Sequence, residues 1–438
     1  MPRLFGTDGV RGVANVDLTP DLALRLARSA AAVLAPGGGR AVALVGRDPR
    51  PSGPMLEAAV CAGLAAAGVD VRRLGVVPTA AVAHLVRATG ATLGVMITAS
   101  HNPMPDNGIK FFDADGYKPA DAAEDEIEAR LEQSPAPVAG ADVGRVTDAP
   151  ELVPTYVDHL LASVPGRLDG LHVVVDAANG AATSVVPEIY RRAGARVTAI
   201  NVRTDGVAIN VDCGATHLNA LQAAVVEHGA DAGIAHDGDA DRCLAVDAAG
   251  GVVDGDAILA VLAVALKERG KLARDTIAAT VMSNLGLHRG LAAHGISVAE
   301  TAVGDRHVLA RMRERGLSLG GEQSGHLLLL DSATTGDGIL TALHLLARMA
   351  ATGRPLAELA AVMTRLPQVL VNVRVADRQA ATAAIAPLAE QVGAELGDAG
   401  RVLVRPSGTE SLIRVMVEAE TEDQAREIAD RLAATISE

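Results

Sequence analysis

Ala91-Thr92-Leu93-Gly94-Val95-Met96-Ile97 runs without a break into Thr98-Ala99-Ser100-His101-Asn102-Pro103. The first seven residues form a short apolar run with several β-branched side chains, the pattern of a buried strand. The next six are mostly small and polar, and Pro103 disfavours a helical conformation at Asn102. The Ser100 hydroxyl is thereby set on a tight loop at the carboxyl end of a strand, where open α/β sheets bind their ligands. His101, Asn102 and, further on, Lys110 supply polar groups nearby. Taken alone, Ser-His-Asn-Pro is equally an ordinary polar turn with a capping serine, so its surroundings must decide.

Upstream, strands and helices alternate. Thr19-Pro20 is an N-cap followed by proline at the first helical position, opening a helix to about Ala35. A strand at Ala41 to Val45, a helix at Met55 to Ala67, a strand at Val69 to Leu74 and a helix from Pro78-Thr79 lead to the serine strand. This order predicts βαβ units and a mostly parallel sheet. The stretch Glu132 to Pro150 reads as a linker, after which the pattern restarts at Leu171 and again near Asp254. Asp256 is expected to cap an apolar helix from Ala257 to Leu266, too short to cross a bilayer. The tail, from Gln368, reads as three strands and two helices. The expected fold is α/β with four domains: residues 1–150, 151–252 and 253–366 as three similar mixed α/β sheet units, and 367–438 as a small α+β domain.

Composition narrows the function. The chain has 438 residues with 49% hydrophobic but 1% aromatic side chains and no tryptophan, so its cores are built of Ala, Val, Leu and Ile. A net charge of −14 argues against nucleic acid or an anionic membrane as a general partner. Three scattered cysteines and an N-terminal stretch without an apolar signal core point to a reduced, cytoplasmic chain.

Three further loops carry chemistry. In Asp237-Gly238-Asp239-Ala240-Asp241-Arg242, small spacers let three carboxylates converge on one hard cation. A calcium EF-hand is excluded because Arg242 and Ala248 stand where that loop needs Gly and Glu. A magnesium site and a solvated acidic turn both remain open from these residues alone. Arg405-Pro406-Ser407-Gly408-Thr409 offers a guanidinium, hydroxyls and backbone N–H groups to a phosphate, or is a hairpin turn with a surface arginine. Glu322-Gln323-Ser324-Gly325-His326 carries donors and acceptors suited to sugar hydroxyls but by itself reads first as a polar turn, and Gly6 to Gly12 could bring Arg11 to an anion or be an ordinary loop. No Walker-type or Rossmann glycine motif occurs.

In this order, TASHNP, DGDADR, GEQSGH and RPSGTE resemble the active-serine, metal, sugar and phosphate loops of the α-D-phosphohexomutase family over essentially the whole chain. FGTDGVRG at Phe5 to Gly12 and the stretch Asn210 to His217 resemble members acting on an amino-sugar phosphate. Ser411, where proline is usual, and Met104-Pro105 depart from the family pattern. The resemblance implies four domains around a central active-site cleft, one loop from each. It implies a phosphorylated Ser100 that also contributes to a Mg²⁺ site with Asp237, Asp239 and Asp241, and a glucosamine or glucose 1,6-bisphosphate as activator. Glucosamine 6-phosphate and glucosamine 1-phosphate would be interconverted through the bisphosphate, supplying cell-wall precursors. Arg11, His101, Lys110 and His326 are the candidate catalytic side chains, the last two for proton transfer, while Glu322, Ser324, Arg405, Ser407, Gly408 and Thr409 would bind substrate. The expected partner is a phosphosugar, with neither nucleic acid nor membrane, and a homodimer is an expected assembly. Glucose or mannose phosphates as substrates, a non-catalytic sugar-phosphate binder and a metal-dependent phosphatase are the competing readings.

Overall fold

The computed structural model describes residues 3–6, 8–36, 40–133, 138–406 and 411–437. Its first sheet contains β1 (Val10–Val13), β2 (Val42–Arg47), β3 (Asp70–Val76), β4 (Leu93–Ile97), β5 (Asp106–Phe112) and β6 (Val146–Asp148), in the order β1-β5-β4-β2-β3-β6. The apolar run before Ser100 is β4, buried along its whole length. Its partner β2 is parallel, whereas β5 returns antiparallel and places Lys110 opposite Met96. The sheet is therefore mixed: β5 alone runs against the other strands, antiparallel to both β4 and β1.

Helices α1 (Pro20–Leu34), α2 (Gly53–Ala66) and α4 (Asp121–Ala129) share one core with the sheet, while α3 (Thr79–Thr89) covers the other face. Thr19 caps α1 as expected, accepting from the Leu22 N–H. Gly46 and Gly94 make room for α3, since a Cβ on either would stand 2.7 and 3.0 Å from Val82 methyl carbons. The stretch read as a linker holds β6, which pairs parallel with β3 from Val71 to Arg73. All three β6 residues are exposed, so no apolar pattern announced them.

The second sheet, in the order β11-β10-β9-β7-β8, combines β7 (His172–Asp176), β8 (Arg196–Ile200), β9 (Ala232–Ala235), β10 (Leu244–Asp247) and β11 (Val252–Val253). Helices α5 (Val153–Ser163), α6 (Val186–Ala193) and α7 (Asn219–His228) accompany it. The third runs β13-β12-β14-β15, from β12 (Thr276–Thr280), β13 (Ser297–Thr301), β14 (Leu319–Gly321) and β15 (Leu327–Leu329). The apolar helix α8 (Gly255–Glu268) is capped by Asp254, not Asp256. The Asp254 carboxylate accepts from the Ala257 N–H at 3.0 Å, and Asp256 lies buried in the first turn. Helices α9 (Leu285–Ala293), α10 (Asp305–Arg315), α11 (Gly338–Thr352) and α12 (Leu356–Ala360) follow.

By packing, the chain divides into two compact units, Met1–Val281 with Val298–Ala360, and Met282–Ser297 with Ala361–Glu438. The second unit contains β16 (Gln368–Arg374), α13 (Arg378–Leu396), β17 (Arg401–Pro406), β18 (Leu412–Glu418) and α14 (Glu422–Ser437), with an antiparallel sheet ordered β16-β18-β17. Helix α9 belongs to it: the Leu285 N–H donates to the buried Glu418 carboxylate at 2.9 Å, and Asn284 bonds the Leu366 carbonyl at 3.0 Å. No described helix is long and apolar enough to cross a membrane.

Candidate active site

Ser100 follows β4 with φ 51°, a left-handed conformation that non-glycine residues seldom adopt. Its hydroxyl donates to Asp237 Oδ2 at 2.6 Å and lies 3.3 Å from His101 Nδ1. Asp237 comes from the loop after β9, so the first and second sheets deliver these two side chains to one point. Asp239 accepts from the Thr79 hydroxyl at 2.6 Å and from Lys110 Nζ at 2.8 Å. Lys110 also meets Asp8 at 2.7 Å and Asp241 at 3.6 Å, and is only 2% exposed. The third sheet contributes His326, whose Nδ1 is 3.5 Å from Asp241 and whose Nε2 is 3.6 Å from Asp305.

Ser100, His101, Asp241 and His326 border a cavity of about 360 Å³ that Arg11, Arg242 and Glu322 also line. Arg11 is tied to Asp8 and to Asn102 Oδ1, the latter at 3.3 Å. The Glu322 carboxylate accepts from the Gly304 N–H at 3.0 Å. Ser324 Oγ is buried without a hydrogen-bond partner among the described residues. Arg242 stands 3.9 Å from Asp237 with its Nε otherwise unpartnered, a cation available to an anion in the cavity.

Burial dominates the electrostatics, and neighbours decide its direction. Burial, with Asp241 and Asp239 close by, pushes the Asp237 carboxyl up to about 8. Burial acts on Asp241 in the same sense, but Lys110 and His326 outweigh it and hold that carboxylate well below its usual range. Burial would depress the Lys110 ammonium, yet Asp239, Asp8 and Asp241 carry it far above. His326 is lowered by burial and raised more by Asp241 and Asp305, to about 9. His101, lowered by burial and by Arg242 and Arg11, falls to about 4 and is neutral at neutral pH.

The three aspartates fit a metal. One oxygen from each of Asp237, Asp239 and Asp241 lies within 4.8 Å of the others, and all three residues are buried. Asp239 Oδ1 and Asp241 Oδ1 have no hydrogen-bond partner among the described residues, a costly state that a hard cation would relieve.

Sequence comparison decides the lineage. The family described as phosphoglucomutase/phosphomannomutase matches as its α/β/α domain I over residues 2–137, domain II over 154–250, domain III over 254–366 and C-terminal domain over 370–435. The chain belongs to the phosphoglucomutase/phosphomannomutase family. It is 64% identical over 441 residues to the phosphoglucosamine mutase of Saccharopolyspora erythraea, covering 100% of this chain and 99% of that one. It is 61% identical to the phosphoglucosamine mutase of Frankia alni, covering 100% and 98%. Among solved structures, a phosphoglucomutase/phosphomannomutase family protein from Burkholderia thailandensis superposes with a TM-score of 0.86 at 25% identity, covering 99% of this chain and 97% of that one.

Of the family-pattern residues, Arg11, Ser100, His101, Asp241, Glu322 and His326 line one cavity within the first unit, and Asp237, Asp239 and Lys110 join it through contacts to Ser100 and Asp241. Arg405 lies on β17 of the second unit, while Ser407, Gly408 and Thr409 fall outside the described residues. Sequence reasoning passed over Asp8, Lys118 and Asp305, which form one half-buried chain of ion pairs beside His326 and Lys110. Asp8 carried a signal, three residues before Arg11 in the glycine-rich N-terminal loop. Lys118 and Asp305 lie 187 residues apart and carried none.

Proposed function

We propose that this phosphohexomutase-family enzyme interconverts glucosamine 6-phosphate and glucosamine 1-phosphate by way of phosphoserine at Ser100 and glucosamine 1,6-bisphosphate. The observation that carries the chemistry is the Ser100 hydroxyl held 2.6 Å from Asp237 on the wall of a cavity lined by Arg11, Arg242 and His326. The amino-sugar substrate follows the name shared by full-length relatives at 60–64% identity.

In the first step O1 of glucosamine 6-phosphate attacks the phosphoserine phosphorus; the P–Oγ bond breaks as P–O1 forms, and the O1 proton is removed. In the second, Ser100 Oγ takes the phosphoryl group from O6, and O6 gains a proton. A serine carrier divides one transfer between distant oxygens into two in-line steps. His326 lines the cavity and serves these proton transfers, while Lys110, enclosed by three carboxylates, acts chiefly as fixed positive charge near the phosphoryl group. Asp237, Asp239, Asp241 and an oxygen on Ser100 would hold Mg²⁺, which when bound neutralises phosphoryl charge. Glu322 and Ser324 would meet sugar hydroxyls, and Arg405, Ser407, Gly408 and Thr409 the phosphate that is not reacting.

The same reading divides the chain at 1–150, 151–252, 253–366 and 367–438. It takes a glucosamine or glucose 1,6-bisphosphate as activator, and places a homodimer in the cytoplasm. Coupled assays offering glucosamine, glucose and mannose 6-phosphates side by side test the substrate. Fastest turnover of the amino sugar is expected. Preference for glucose or mannose phosphate would move the enzyme to the related mutase activities, and stoichiometric release of inorganic phosphate would make it a phosphatase.

A further inference from the structure

Behind Ser100 lies a side chain that the reaction above does not use. Arg50 follows β2 and is fully buried beside an equally buried Asp48. Its Nη2 donates to the Ser100 carbonyl at 2.9 Å and the Asn102 carbonyl at 2.8 Å. Its Nη1 donates to the carbonyls of Pro103 and Asp106, and its Nε to Asp48 Oδ2 at 2.9 Å. A guanidinium has five N–H donors, and here four of them hold carbonyls of one short loop. Asp48 Oδ2 also accepts from the Thr98 hydroxyl at 2.7 Å, and that hydroxyl accepts from the Ser100 N–H at 2.9 Å.

A second arm comes from the other sheet. Asn210, in the Asn-Val-Asp-Cys-Gly stretch that the proposed chemistry leaves without a role, donates through Nδ2 to the same Ser100 carbonyl at 2.9 Å and to Asn102 O at 3.2 Å. Gly238 of the metal loop closes the remaining side, for a Cβ there would lie 2.5 Å from Ser100 O. The left-handed Ser100 is thus gripped at its N–H and its carbonyl, leaving the hydroxyl to face Asp237.

We propose that Arg50 and Asn210 are positioning residues for phosphoryl transfer: their shared grip on the Ser100 carbonyl fixes Oγ in the cavity, so that the carrier serine stays in place while the sugar bisphosphate turns. This rests on Ser100 being the phosphoryl carrier. Lysine at position 50 keeps the charge but cannot reach four carbonyls with one fork, and a reacting atom misplaced by about 1 Å costs on the order of 100-fold in rate.

The test uses the full-length Arg50→Lys and Asn210→Ala proteins beside the wild type. Ser100 is first phosphorylated with glucosamine 1,6-bisphosphate, and single-turnover transfer to saturating glucosamine 6-phosphate is followed by rapid quench, with KM and the folded fraction measured in parallel. Folded Arg50→Lys should transfer about 100-fold more slowly and Asn210→Ala about 10-fold more slowly, each with KM within about twofold of wild type. Where Arg50→Lys does not fold, Asn210→Ala decides alone. Wild-type transfer rates in the folded variants, or a deficit equal to the unfolded fraction, overturn the proposal. A wild-type protein whose Ser100 takes no phosphoryl group overturns the phosphoserine reading, and this inference with it.

Discussion

The serine end of the first unit and strand β17 of the second treat charge in opposite ways. Around Ser100 three cations already have their counterparts: Lys110 has three carboxylates, Arg50 has Asp48, and Lys118 bridges Asp8 and Asp305. On β17, Arg405 stands in register with Arg414, another cation, and its side chain has no hydrogen-bond or ion-pair partner among the described residues. Burial and that second arginine lower its basicity. The contrast separates two tasks. On the proposed reading a covalent carrier must stand at one place when bonds form and break, and Arg50, Lys110 and Lys118 around it are paired within the protein. On the same reading a phosphate clamp is incomplete until the dianion arrives, and the Arg405 side chain has no ion-pair partner among the described residues.

Removing the carrier attacks the contrast at its strongest point. Ser100→Ala should lower turnover on the order of 10⁴-fold or more, because no other group can accept the phosphoryl. Substantial activity in that variant would make the satisfied region a mere scaffold.

The metal comes next. Chelation of divalent ions should abolish turnover and Mg²⁺ should restore it, while Asp239→Asn should raise the Mg²⁺ concentration needed by at least about 10-fold. The change removes charge from a side chain that also anchors Thr79 and Lys110. Full activity after chelation would show that the unpartnered aspartate oxygens have another purpose.

For the clamp, Arg405→Ala should weaken binding of the phosphosugar by about 1.5–3 kcal/mol, the worth of a charge-assisted hydrogen bond. Bisphosphate should escape more often, so sustained turnover should need more of it added, whereas single-turnover transfer from phosphoserine at saturating substrate should change less. The reverse pattern, slow transfer with unchanged affinity, would erase the division between clamp and carrier.

The smallest effect is on stability. His236, wholly buried between the Tyr190 hydroxyl and the Arg242 carbonyl, is pushed down by burial to about 4, against about 6.5 when unfolded. Its folded pKa is depressed, so its contribution is present above about pH 6.5 and is lost as pH falls towards 4, to the order of 1–3 kcal/mol. Asp337, raised by burial to about 6, acts in the opposite sense between roughly pH 4 and 6. Thermal melts of wild type and His236→Gln from pH 7 to 5 should therefore show a shallower acid slope in the variant; identical slopes would remove His236 from the balance.

Much of this was legible in the sequence because the chemistry sits on loops directly after apolar strands. Val95 and Ile97 announce β4, and with it the place of Ser100; Ala232 to Ala235 do the same for Asp237. The α8 cap was misplaced by two residues because Asp254 and Asp256 are both acceptable caps and only packing buries the second. Strand β6 escaped because its residues are all exposed and its pairing partner lies some 75 residues away. Arg50 escaped for a deeper reason: an arginine between Pro49 and Pro51 reads as a solvated turn, and only the closed fold brings four loop carbonyls around it. Long-range polar contacts of this kind leave no periodicity to read.

The phosphoserine carrier is tested most directly by intact-mass measurement of the protein after incubation with glucosamine 1,6-bisphosphate, followed by a chase with unlabelled glucosamine 6-phosphate. One phosphoryl group should appear on the wild type, map to Ser100, leave during the chase, and never appear on Ser100→Ala. No uptake, or a phosphoryl group on another residue that survives the chase, would contradict the account.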